Sequence, residues 1–93
     1  MTAFKISRAR QSQIAQAFRA GRAAAARNPD LQIPNPYAER DGSMPELLAS
    51  VRGAQWFAFA AGILRQRSDI SNAGTMLRNA RFCMHRATEL GRA

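Results

Sequence analysis

The sequence predicts an all-α fold: a small three-helix domain with a Pro-rich loop between helices 1 and 2. Three observations carry that expectation. Apolar residues recur at spacings of three and four in three separate stretches. Those stretches are parted by a Pro- and Gly-containing segment, 28–42, and by Ser68-Asp69. No stretch alternates apolar and polar residues as a strand would, and no internal repeat is present. At 93 residues the chain allows one domain, 1–93. Its core is expected to be thin, because a chain this short buries only about 60–65% of its unfolded surface.

The first helix is expected from about Ser7 to Arg27. Ile14, Phe18, Gly21 and Ala25 share one face, and Asn28-Pro29 stops the helix because the residue before a proline avoids the α region. A glycine inside a helix costs about 1 kcal/mol relative to alanine, so Gly21 marks a close helix contact. Arg8, Arg19 and Arg22 fall on a neighbouring face and form a cationic stripe.

Pro29, Pro34, Pro36 and Gly42 keep the next segment out of helix. Ser43 followed by Glu46 reads as a capping box, opening a second helix from about Met44 to Arg67. Leu48, Val51, Gln55, Phe59, Gly62 and Ile63 share one of its faces, while Leu47, Phe57 and Leu64 lie on another. A helix apolar on two faces is the central one, packed from two sides. Trp56 is expected to close the core from this helix, and Tyr37 of Asn35-Pro36-Tyr37 to anchor the loop against it. The third helix occupies 69–91, with Ile70, Ala73, Met76, Leu77, Ala80, Cys83, Met84, Ala87 and Leu90 inward and Gly91 as a C′ glycine.

Composition narrows the function. An apolar content of 46% is too high for a disordered tail, and no apolar run approaches the roughly 18–20 residues of a membrane span. The N-terminus lacks the apolar core of a secretory signal, and Cys83 alone offers neither a disulfide framework nor a cysteine-based zinc site. The expectation is a cytoplasmic protein with no membrane partner, no metal and no cofactor. Fourteen Lys+Arg against six Asp+Glu give a net charge of +8. Thirteen of those cations are arginine, which grips phosphate bidentately and stacks on bases. A polyanionic partner, nucleic acid or ribonucleoprotein, follows.

Enzyme chemistry finds little support. His85 stands four residues from Glu89, an ordinary helical pair, and Cys83 points to another face. There is no phosphate-cradling glycine loop and no catalytic residue to name. Arg78, Phe82 and Arg86 recur every fourth residue, with Arg81 and His85 beside them, on the face opposite the apolar stripe. An aromatic ringed by arginines can stack a splayed base, or pack on another protein chain.

Across residues 14–66 the chain resembles the ribosome modulation factor family. Phe18-Arg19-Ala20-Gly21-Arg22-Ala23-Ala24 is similar to the family's aromatic-x-Ala-Gly helix, Pro36-Tyr37 to its Pro-Tyr loop, and Arg52 with Gln55-Trp56 to its Arg-x-Gln-Trp stretch. The linker is longer than the family's, Arg52 and Gln55 are one residue further apart, and the third helix has no counterpart there. The resemblance implies a non-enzymatic regulator that binds ribosomal RNA on the small ribosomal subunit and silences translation, as in ribosome hibernation. Arg8, Arg19, Arg22 and Arg52 would contact phosphates, Tyr37 and Trp56 would shape the site, and Arg78, Arg81, Phe82 and Arg86 would extend it. The alternative is a small phage-type inhibitor, anti-CRISPR-like, whose basic surface occupies the nucleic-acid groove of a host protein.

Overall fold

The computed structural model describes residues 6–38 and 44–91. They form three helices: α1 (Arg8–Arg27), α2 (Glu46–Gln66) and α3 (Ile70–Leu90). The all-α expectation holds, and the boundaries fall within two residues of those read from the sequence. At the start of α1, the Ser7 hydroxyl accepts from the Arg10 backbone N–H at 3.2 Å, filling one of the orphan donors of the first turn. At its end, Asn28 donates its backbone N–H and its side-chain amide to the Ala24 carbonyl, at 3.0 and 3.2 Å. Ser43 of the expected capping box lies outside the described residues. Pro45 occupies the N-cap of α2 with no side-chain cap, and Glu46 pairs with Arg86 of α3.

The turn between α2 and α3 is a Schellman motif. The Asp69 N–H reaches back to the Leu64 carbonyl at 2.9 Å and the Ser68 N–H to that of Arg65 at 3.1 Å. Closing it places Ser68 at φ 65°, the left-handed region that disfavours any side chain with a Cβ. Asp69 then caps α3, its carboxylate accepting from the Asn72 backbone N–H at 3.3 Å. Ser68→Gly is expected to stabilise the protein by about 1 kcal/mol, raising the melting temperature by about 4–8 °C. Thermal denaturation checks it; an unchanged or lowered midpoint would mean the turn carries no strain. Gly91, expected in the left-handed C′ role, is instead the C-cap with φ −71°, a conformation open to any residue.

α2 lies between the other two helices, and α1 and α3 meet only at their margin. The outline is accordingly flat, 43 × 35 × 19 Å. Ile14, Ala17, Val51, Ala54, Ala58, Ala80, Met84 and Ala87 form one core cluster drawn from all three helices. Alanine dominates the buried positions, so the helices must approach closely to touch at all. α1 and α2 do so through two glycines: a methyl placed on Gly21 would sit 2.1 Å from the Phe59 carbonyl oxygen, and one on Gly62 2.1 Å from that of Phe18. The close contact read from Gly21 is therefore a backbone-on-backbone crossing, with Gly62 as its other half.

The direction of the helices was not legible beforehand. Arg67, past the end of α2, donates to the carbonyl of Leu31, past the end of α1, at 2.6 Å. Both C-termini thus lie at one end, and α1 and α2 run parallel. From there the connection descends along α2, meeting it first at Trp56 through Asn35 and then at Arg52 through Pro36. α3 returns antiparallel, bringing Arg86 to Glu46 and Gly91 to Leu47.

Three expectations about burial are corrected. Leu48 and Ile70, read as inward, are 54% and 62% exposed, and Trp56, read as core, is 37% exposed. Ile70 is the first residue of α3, at the turn end of its contact with α2. Leu48 shares a face with Val51, Phe59 and Gly62 but stands in the first turn of α2, and Trp56 lies off the buried face of Val51, Ala54, Ala58, Phe59, Ala61 and Gly62. The reading that no segment reaches membrane-spanning length is also corrected: α2 is long and apolar enough by length and composition, with mean hydropathy 1.3. Arg52 and Gln55 break the apolar run, but the surrounding alanines, Phe57 and Phe59 carry the average. About a third of that window is buried, in contacts with both neighbouring helices.

Candidate nucleic-acid interface

The chain places an open cleft where the loop crosses α2. About 210 Å³ in volume, it is lined by Tyr37, Ala38, Ala49, Arg52, Gly53, Trp56 and Phe57. Asn35 builds its loop side. Its side-chain Oδ1 accepts from the Tyr37 N–H at 3.1 Å, an Asx turn, while its side-chain Nδ2 donates to the Trp56 carbonyl at 3.0 Å. Arg52 donates to the Pro36 carbonyl at 2.9 Å. Two side chains thus fasten the Asn35-Pro36-Tyr37 turn onto one helix.

The rings are held by other rings. Tyr37 meets Phe59 edge-to-face, with centroids 6.1 Å apart, and Trp56 meets Phe57 at 5.3 Å and 88°. Phe59 is buried and Phe57 half-buried, so each cleft aromatic leans on a packed partner. The anchoring expected of Tyr37 is present through its ring and its backbone N–H. Trp56 belongs to the cleft rim and not to the core. Arg52, expected to be a phosphate contact, uses part of its guanidinium to hold the loop.

Tyr37, Arg52 and Trp56, expected together in one site, line the same cleft, while Asn35 and Gly53 beside them were not among the expected site residues. Asn35 had a legible signal, since Asn-Pro before an aromatic favours an Asx turn. Gly53 had none; it lines the cleft, and a methyl there would meet Cys83 Sγ at 3.8 Å, an ordinary contact.

The other expected site residues lie elsewhere. Arg8, Arg19 and Arg22 are exposed on α1, and Arg78, Arg81 and Arg86 on α3 with Phe82, which is 55% exposed. None of them lines the cleft, so the α3 group is a second surface and not an extension of the first. Within it Arg78 donates to the Thr75 hydroxyl at 3.2 Å, and Arg86 is paired with Glu46.

His85 and Glu89 stand 3.2 Å apart, one turn from each other on α3. Cys83 is half-buried beside Gly53, and burial pushes its thiol pKa above the ordinary value, which disfavours the reactive thiolate. Among the described residues no group of three or more His, Cys, Asp or Glu is placed to hold a metal ion. Fold and cleft together define a small basic three-helix protein with an aromatic, arginine-edged cleft. No family model, curated protein or solved structure matches the chain.

Proposed function

We propose that this protein is a non-enzymatic RNA-binding regulator acting on the small ribosomal subunit, in the manner of the ribosome modulation factors it resembles. One observation carries the reading: Tyr37, from one motif of the resemblance, lines one cleft with Arg52 and Trp56, from another motif on α2. The charge distribution supports it. Exposed arginines stand on the outer faces of both flanking helices, and the described acids are few, with Glu46 and Glu89 each paired to a side chain of α3. Such a surface attracts polyanions from either side of the flat molecule.

Binding is expected to fall steeply with salt. If about five phosphates are neutralised, the log–log slope for a single-stranded RNA is roughly −3.5 and for a duplex roughly −4.5. Titrations of purified small subunits or RNA at several ionic strengths measure it, and a flat dependence would overturn the reading. A second reading, the phage-type inhibitor, draws on Phe82: an exposed aromatic flanked by arginines also suits a protein interface. Its signature is a protein complex that survives nuclease treatment and is lost in Phe82→Ala, with RNA affinity unchanged.

A further inference from the structure

The cleft is better shaped for one flat ring than for a nucleic-acid backbone. Its volume of about 210 Å³ falls below the ~300–1,000 Å³ of sites for drug-sized ligands, and it is open on one side. Tyr37 from the loop and Trp56 from α2 supply aromatic surface, Phe57 supports the indole, and Ala49 and Gly53 add only small residues to the α2 wall. Arg52 sets a permanent positive charge at the cleft, its orientation fixed by the Pro36 carbonyl. On a protein of net charge +8, an occupant that brings both a π-face and negative charge meets every feature of this cleft.

A duplex does not fit that description. Its base faces are stacked on one another, and the A-form helix presents only phosphates, 2′-hydroxyls and base edges. An unpaired nucleotide offers an open base face with a phosphate beside it. We infer that the Tyr37–Arg52–Trp56 cleft takes one unpaired nucleobase, so that the protein selects single-stranded RNA over duplex. The inference rests on the RNA-binding reading and adds the strandedness of the ligand and the atoms that detect it. The rings are fixed before binding: Tyr37 by Phe59, Trp56 by Phe57, and the turn between them by Asn35. Little ordering is left to oppose stacking.

Trp56 is the only tryptophan, so its fluorescence reports on this cleft alone. The experiment titrates the full chain with three probes of equal phosphate count: a short single-stranded RNA, a blunt RNA duplex, and an abasic strand. Affinity is read from the anisotropy of a label on the probe. Expected is quenching of Trp56 by the single strand only, with affinity about five- to 150-fold above that for the other two. Trp56→Ala should abolish the preference and Trp56→Phe retain most of it, both melting within a few degrees of the wild type because the ring is at the surface. Equal binding of all three probes without quenching would overturn the base-in-cleft inference and leave the RNA-binding reading standing. Quenching by the abasic strand would overturn it too, since no base is then needed. Failure to bind any of the three would overturn both.

Discussion

Replacing Gly62 by alanine is expected to remove more than half of the protein's stability. The added methyl would lie 2.1 Å from the Phe18 carbonyl oxygen, 2.8 Å from the Arg22 nitrogen and 3.1 Å from the Gly21 Cα. All three are backbone atoms of α1, so no side chain can rotate away. The helices must separate instead, and a core of alanines has no long side chains to refill the gap. A cost of about 3 kcal/mol or more is expected, against a total stability of about 5 kcal/mol for a chain of this size. Gly21→Ala meets the Phe59 carbonyl in the same way and should cost about as much. The double variant should be less than additive, because one separation relieves both clashes. Circular dichroism on heating measures each; a Gly62→Ala protein melting like the wild type would mean that α1 and α2 do not cross here.

Met84→Ala should come close in magnitude. Among the described residues Met84 is the one large side chain completely buried, and it joins α3 to the cluster containing Val51, Ala54 and Ala58. Truncating it removes much of the core volume that alanine does not supply, at about 2–5 kcal/mol. Met84→Leu conserves that volume and should cost less than about 1.5 kcal/mol. Urea denaturation separates the two. Equal midpoints for the alanine and leucine variants would show that this position is not the packing centre of α3.

What the sequence made visible follows from local physics. Helix limits were legible because Asn28-Pro29 and Ser68-Asp69 interrupt helix wherever they stand. The central place of α2 and the outward face of Arg78, Phe82 and Arg86 were legible because a helix's apolar faces must be covered. What stayed hidden depends on which neighbour covers which turn. Periodicity cannot tell that Leu48, in the first turn of α2, and Trp56, beside its buried face, stay exposed, nor that Ile70 opens α3 in solvent. For the site, the resemblance gathered Tyr37, Arg52 and Trp56, but no local rule links Asn35 to a carbonyl on α2 twenty-one residues away. The parallel course of α1 and α2 was hidden for the same reason. Residues 28–45 suffice either for a slack hairpin or for a return along the full length of α2, since an extended chain of that length spans about 60 Å and the helix about 30 Å.

That return path sets the order in which the molecule assembles. α2 and α3 are joined by three residues, Arg67 to Asp69, so their contacts next to the turn close small loops at little cost in chain entropy, and the rest can zip up from there. α1 reaches its parallel seat only when the chain has travelled back along α2, and every α1–α2 contact spans dozens of residues. The α2–α3 hairpin is therefore the expected nucleus, with α1 docking late and leaving first. Since α1 and α3 scarcely touch, all cooperativity between the two events passes through the middle helix. Amide exchange should show it as two tiers, α1 opening at a lower free energy than α2 and α3.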